Sequence, residues 1–451
     1  VSIIVRPEPV SDIEAVARPT AEREIVYLVA PGGHPNYGDE FILRGWLRHL
    51  ARTRPDADVV VDCHTPGQAA ILLRQWHPRA LFVDTMWRIC DQTSHLPAAQ
   101  GVTLARDVVR NPGRMPKLVT GIELLSRADT VHLVGGGYIN SVWSHHLALL
   151  ATAAGVSDFW GRRVVATGMG LMPVGSPERL SLLRELQASF TLFDVRDGPS
   201  YQAIADAGGN AVLTGDDAWL AIRDDGVYNT ESEAAQRDVV LCLQSDLMED
   251  FGCGQGTDGL SDAITQLIDR WRLRGDDVAV VEGIPGSDRV VFDRIAHLLP
   301  GAAFATFTDV WRHGLPARQG QTWVSTRFHP HLLAAGVGAS GLALVGRSDY
   351  YPVKHQSLID AGSRWHVVDS SADLPAQPVR DGGFTAEEVD ALWRRKSALA
   401  GQIYPAPALS PLRRKLAAWG LSRAGGPPVI ARTDSGSAMP SRRSGAGSGA
   451  P

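Results

Sequence analysis

The run Ile25-Val-Tyr-Leu-Val-Ala30 leads straight into Pro31-Gly-Gly-His-Pro-Asn-Tyr-Gly-Asp-Glu40, and a helical pattern then continues from Phe41 to about Arg52. This stretch decides the fold. An unbroken apolar run of strand length fits a strand covered on both faces, as in parallel sheets. Glycines let a turn approach a ligand with its backbone, and Asp39 and Glu40 stand where a first helical turn tolerates acids. Strand, glycine-rich turn and helix in this order open a doubly wound α/β domain. No Gly-Lys-Ser/Thr follows, so the turn is not a Walker loop.

The same rhythm repeats along the chain. Apolar runs separated by helix-length spacers occur at Asp58–Cys63, Ala80–Asp84, Thr130–Val134, Arg163–Thr167 and Phe190–Val195, with a further strand and its exit at Ala211–Ala218. Residues 223–237 are polar and aperiodic and read as a linker. The rhythm then restarts with Asp238–Leu243, Asp277–Val281, Ala302–Thr306, Gln321–Ser325, Gly341–Val345 and Trp365–Val368. The expected organisation is an N-terminal extension (1–23), a first α/β domain (24–222), the linker, and a second α/β domain (238–375). Two domains also suit 451 residues, which exceed what one core usually serves. An amphipathic helix over 385–402 opens with a capping-box pattern, Thr385 and Glu388. From 405 to 451 the chain turns basic and rich in Gly, Ser, Pro and Arg, which predicts disorder beyond a short basic amphipathic stretch at Pro411–Arg423.

Composition narrows the function classes. The 44% hydrophobic and 21% charged content is that of a globular protein, and a net charge of -5 makes no electrostatic case for nucleic acid. No run approaches the roughly 20 apolar residues that span a bilayer, and the first 23 residues lack the apolar core of a signal peptide. A cytoplasmic protein is expected, with peripheral contact between the basic tail and the inner membrane surface as one reading of that tail and a solvated tail as the other. Cys63, Cys90, Cys242 and Cys253 match no zinc spacing and read as buried thiols. His145 and His146, placed next to each other on a helix, would point about 100° apart and make poor joint ligands. Cys63-His64 and Asp216-Asp217 have no partners at metal spacing, so no metal is expected. Asp216-Asp217 reads as a strand exit capping a helix.

The chemistry points to strand exits, where open parallel sheets bind ligands. Trp323-Val-Ser-Thr-Arg-Phe-His-Pro-His-Leu-Leu-Ala-Ala-Gly336 reads as a buried strand ending at Ser325, a tight loop, and a helix start. In an extended loop Arg327 and His329, two apart, point the same way, and the helix N-terminus adds its dipole there. Arginine fork, imidazole and helix start together suit a small, multiply charged anion and a protonation step. The plainer reading is an Arg salt bridge and a surface His. Gly135-Gly-Gly-Tyr-Ile-Asn140 follows another strand, with a close-packing turn as its plainer reading. Arg196-Asp197 follows a third and by itself reads as a capped helix start with a surface ion pair.

Taken in order, these stretches resemble the polysaccharide pyruvyl transferase family over roughly residues 25–375. The matching pieces are Gly32–Glu40, Gly135–Asn140, Thr167-Gly-Met-Gly-Leu-Met-Pro173, Val195-Arg-Asp-Gly-Pro-Ser200, Gly215-Asp-Asp-Ala218, Ser325-Thr-Arg-Phe-His329 and the stretch from Tyr351 to Lys354. Two departures stand out: Phe328 occupies a position that is usually Leu, and Gly336-Val-Gly-Ala-Ser-Gly341 lacks a Pro often found there. The resemblance implies two Rossmann-like domains facing a cleft, as in GT-B glycosyltransferases. It also implies transfer of the enolpyruvyl unit of phosphoenolpyruvate to two hydroxyls of one sugar, with no further cofactor, giving a cyclic ketal. The acceptor would be a saccharide, including one carried on a lipid.

Such chemistry needs cations for two anionic groups, a proton donor and a hydroxyl-orienting base. Arg327 is expected to hold one anionic group through both arms of its fork, with Arg196 and Lys354 on the other. His329 is the expected general acid, and Asp39 the group that orients the acceptor hydroxyl, unless it is only a helix-start acid. Asn36, Asn140, Gly136 and Gly137 are expected to meet substrate oxygens. Two rivals remain: a GT-B glycosyltransferase using a nucleotide sugar, and a non-catalytic saccharide-binding relative. The Arg327, His329 and Lys354 set fits a compact trianion better than a nucleotide's ribose, and sugar binding alone does not call for it.

Overall fold

In the computed structural model, residues 23–206, 208–248, 250–251, 255–346 and 351–406 are described. The Pro411–Arg423 stretch, Cys253, and all but the first two residues of the 405–451 tail lie outside them, as do residues 1–22. The opening run forms β1 (Ile25–Val29), and Val26, Tyr27, Leu28 and Val29 are fully buried. Burying aliphatic side chains of this size stabilises by roughly 1.5–3 kcal/mol each. β1 pairs in parallel with β2 (Asp58–Asp62) on one side and β4 (Thr130–Leu133) on the other. With β3 (Ala80–Val83), β5 (Arg163–Met169), β6 (Leu192–Val195) and β7 (Val212–Leu213) they make a sheet in the order β3-β2-β1-β4-β5-β6-β7.

A second parallel sheet contains β8 (Val239–Cys242), β9 (Val278–Val281), β10 (Ala303–Ala305), β11 (Thr322–Ser325), β12 (Ser340–Leu344) and β13 (His366–Val368), ordered β10-β9-β8-β11-β12-β13. The strand order reverses between β1 and β4 in one sheet and between β8 and β11 in the other. These switch points are where open α/β sheets leave a crevice for a ligand. Both crevices serve the same cleft.

The lobes share apolar contacts. Trp46 and Ile42 from the first, Ala221 and Ile222 from the connection, and Trp323 and Leu332 from the second belong to one buried cluster. Within the polar 223–237 segment, Val227, Ala234 and Ala235 are buried, and Tyr228 bridges to Leu315. After β13 the helix Ala386–Ile403 opens with the expected capping box, Thr385 and Glu388. It returns to the first lobe, where Arg163 Nη1 donates to the Ile403 carbonyl (2.7 Å) and His132 Nδ1 meets the Tyr404 hydroxyl (3.1 Å).

Two helix starts differ from the expected ones. The first helix runs Tyr37–Thr53, beginning before Phe41, because Asn36 caps it by accepting the Gly38 N–H (3.2 Å). Helix Phe328–Gly336 begins immediately after Arg327, its N-cap. His329 therefore sits in the first helical turn, and the expected extended loop carrying both side chains on one side does not form. Cys63, Cys90 and Cys242 are buried free thiols.

Candidate active site

A cleft of about 520 Å³ opens at the two switch points. Asn36, Asp39, Gly137 and Arg196 line it from the first lobe, and Arg327, His329 and Lys354 from the second.

His329 reaches across to the first lobe. Its ring rests on Gly38, where a Cβ would overlap Nδ1. Its Nε2 is buried, 3.5 Å from Asp216 Oδ1, and makes no hydrogen bond among the described residues. A buried ring nitrogen with no hydrogen bond, at a cleft, marks a place for a ligand or reacting group. Asp216 also accepts the Ala218 N–H (2.9 Å), capping the turn Asp217–Leu220. The capping role expected of this exit is present, and the contact with His329 is additional. Burial pushes the Asp216 carboxyl up, but the His329 imidazole and the Arg196 guanidinium outweigh it and hold it at about 2.

Arg196 leaves β6 into a tightly built niche. Its guanidinium lies 4.7 Å from the Phe328 ring centroid, 3.4 Å from Asp197 and 3.7 Å from Asp216 Oδ2. A Cβ on Gly170 would overlap it, and one on Gly137 would come within 3.0 Å of Nη2. The expected surface ion pair is thus buried, and Asp197 caps helix Gly198–Ala205 by accepting the Ser200 N–H (2.8 Å). Phe328, the departure from the usual Leu, forms the cation–π wall behind Arg196.

Lys354, on helix Tyr351–Asp360, approaches the same glycine: a Cβ on Gly137 would lie 3.1 Å from its Cε and 3.2 Å from its Nζ. Burial first, and Arg196 second, push its ammonium pKa well below the ordinary lysine value. Asp39 moves the other way. Burial raises its carboxyl, against the pull of His329 and Lys354. Asn36 Nδ2 donates to Asp39 Oδ2 at 2.8 Å and so orients it.

Three expectations change. Arg327 does not offer a bidentate fork to the cleft: Nε lies 3.0 Å from Asp288 Oδ1, and Nη2 pairs with Asp288, Asp246 and Ser287. A fully buried carboxylate demands that partner. Asn140 is buried behind the glycine loop, its Nδ2 donating to the Gly137 carbonyl (2.7 Å) and its Oδ1 accepting the Val142 N–H (2.9 Å). Gly136 has its N–H on the Gly168 carbonyl and its own carbonyl on the Gly170 N–H. Both residues build the loop and leave its ligand-facing side to Gly137.

The other end of the cleft is aromatic and uncharged. His64 packs on Trp87 with centroids 3.7 Å apart, Trp143 stacks on His146, and burial holds the His64 and His146 pKa values at about 4. His145 and His146 lie in a 3-10 turn, Ser144–His146, and not on the helix assumed for them. Their ligand atoms and that of Cys90 fall within 4.8 Å of one another. The Cys90 thiol donates to the His145 carbonyl, and His146 Nδ1 to the Tyr138 carbonyl (2.8 Å).

The sequence marks Asp216 only as a cap, and marks neither Asp288 behind Arg327 nor the aromatic end. Gly215-Asp-Asp-Ala218 was one of the matching stretches, so a signal existed for Asp216. Nothing local marked Asp288.

Two parallel-sheet lobes with charged groups at both switch points define a GT-B-like fold. Solved structures agree on the fold. The chain is similar to a UDP-N-acetylglucosamine 2-epimerase from Neisseria meningitidis (9% identity, 84% of this chain and 99% of that one, TM-score 0.51). It is similarly close to a protein described as the same epimerase from Listeria monocytogenes (11% identity, 85% and 99% covered, TM-score 0.50). Comparison with curated protein sequences finds no match. The family model for polysaccharide pyruvyl transferase matches residues 36–345, well over half of the chain. The chain belongs to that family and is a transferase. No helix among the described residues is long and apolar enough to cross a membrane.

Proposed function

We propose that the chain moves the enolpyruvyl unit of phosphoenolpyruvate onto two hydroxyls of one saccharide unit, forming a cyclic pyruvate ketal and releasing phosphate. The observation that carries this reading is the convergence of Arg196, Lys354 and His329 on Gly137 and Gly38 in one cleft. A trianionic donor needs such cations, and an enol ether needs a proton donor beside them.

In this reading Arg196 and Lys354 bind the donor's anionic groups, with Arg327 as a rigid, pre-paired cation at the rim. His329 delivers a proton to the methylene carbon, which becomes the methyl group, and positive charge develops at the adjacent carbon. An acceptor hydroxyl oriented by Asp39 adds there and loses its proton to that carboxylate. The carbon–oxygen bond to phosphate then breaks, and the second hydroxyl closes the ring. Of the two hydroxyl protons, one balances the new methyl group and the other leaves with phosphate. Asp216, 3.5 Å from Nε2, keeps the imidazole aimed.

Calorimetric titration with phosphoenolpyruvate tests the reading, on the native protein and on Lys354→Met. Saturable binding that weakens in the variant is expected. Binding of a nucleotide sugar in place of phosphoenolpyruvate would overturn it in favour of glycosyl transfer.

A further inference from the structure

Lys396 lies on helix Ala386–Ile403, beyond the second sheet, yet its ammonium is fully buried inside the first lobe. It donates to Asp194 Oδ2 at 2.7 Å and to Asp217 Oδ1 at 3.0 Å. These carboxylates gather three strand exits. Asp194 accepts the Gly168 N–H at the end of β5 and both the N–H and hydroxyl of Thr214 after β7. Asp217 Oδ2 accepts the Gly135 N–H after β4, the Thr167 hydroxyl and the Trp46 indole N–H. One cation is thus the hub of the loops that floor the cleft. A Cβ on either Gly135 or Gly168 would press on Asp217, so the hub has little slack.

Next to this anchored Asp217 stands Asp216, whose side chain faces His329. An apolar residue would hold a helix against a core as well as a buried ion pair does, and often better. What an ionic hub adds is a fixed direction for each carboxylate. We propose that Lys396 is a positioning residue for the transfer reaction: by locking Asp217 it fixes the Asp216 backbone, and with it the orientation of His329. Alignment of the proton donor thereby depends on docking of helix Ala386–Ile403. The inference rests on the proposed role of His329. The ammonium stays charged there because its two carboxylates outweigh the effect of burial.

The test compares Lys396→Met with Asp194→Asn in the full chain. Both weaken the hub, but Asp194→Asn leaves the contact between Lys396 and Asp217. Selective carbon-13 labelling of histidine, with His329→Gln to assign the signal, reads the imidazole directly. In Lys396→Met the His329 resonance is expected to move and kcat to fall by about 10²-fold, as for a misaligned catalytic group, with phosphoenolpyruvate affinity kept. In Asp194→Asn the thermal midpoint is expected to fall while the resonance stays in place. An unmoved resonance in Lys396→Met, or equal movement in both variants, overturns the proposal. Should Lys396→Met fail to fold, Trp46→Phe removes a different donor to Asp217 and must move the resonance. The spectrum needs no turnover, so failure of the pyruvyl reading would show as absent donor binding and leave the hub test intact.

Discussion

His329 rests its imidazole directly on the backbone of Gly38, so that a Cβ there would overlap Nδ1. The contact joins the first helix of one lobe to the helix after β11 of the other. It explains a glycine in a helical turn, where alanine would otherwise be favoured by up to about 1 kcal/mol.

Gly38→Ala is therefore predicted to separate activity from stability. The methyl group must displace the imidazole, and the rate should fall on the scale of a lost general acid, about 10²–10⁴-fold. The thermal midpoint should move little, because the gain in helix propensity offsets part of the crowding. Initial rates and a melting curve on the same preparation check this. A variant as active as the native protein would remove His329 from the chemistry.

Asp216→Asn keeps the shape and the cap on the Ala218 N–H but removes the charge facing His329 and Arg196. With the native carboxyl held at about 2, below its ordinary 3.8, ionised Asp216 stabilises the fold above the unfolded value, and that stabilisation is lost as pH falls through about 2. The variant should be less stable than the native protein near neutral pH by roughly 2 kcal/mol. The gap should close on acidification. Urea unfolding at pH 7 and at pH 3 measures it, and a gap independent of pH would mean that the carboxylate's charge is not what stabilises this site.

The layout was legible because strand-length apolar runs mark β1 to β13 and parallel sheets bury both faces. Arg327 and His329 were legible as an arginine and an imidazole at a strand exit, and Lys354 through the family resemblance. What they touch was not. Arg327 looks the same in sequence whether its fork meets a ligand or Asp288, which is 39 residues away. Asn140 and Gly136 carry the right groups for binding, yet loop closure uses them. Lys396 sits in an ordinary amphipathic helix, and only the tertiary fold reveals that it faces two carboxylates. Local pattern fixes which face is apolar; partner choice across lobes depends on the packing.

Donor binding should take up protons. Burial and Arg196 hold the Lys354 ammonium well below its usual pKa, and a polyanion arriving beside it pushes that value back up. Calorimetry of phosphoenolpyruvate in buffers of different ionisation enthalpy is expected to show net proton uptake that grows at alkaline pH. Lys354→Met should bind more weakly and lose most of the uptake. Proton release, or identical enthalpies in all buffers, would show that Lys354 does not charge on binding.

Glu40 bears on the turn that carries His34 into the cleft. Its Oε1 accepts the Gly33 N–H at 2.7 Å, its Oε2 is buried with no hydrogen-bond partner among the described residues, and burial raises its carboxyl to about 8. Near neutral pH the folded protein therefore keeps this acid protonated while the unfolded chain does not. Between the unfolded value near 4.5 and about 8 the native state binds the extra proton, so stability from this group is full at low pH and declines as pH rises. Glu40→Gln mimics the protonated acid and removes the slope. Relative to the native protein, the variant should gain stability steadily from pH 5 to pH 8, by a total on the order of a few kcal/mol. Denaturant titrations at several pH values give the comparison directly. Parallel curves would mean that Glu40 ionises in the folded state without cost, and the closed acid-lined turn at the first switch point would need a different explanation.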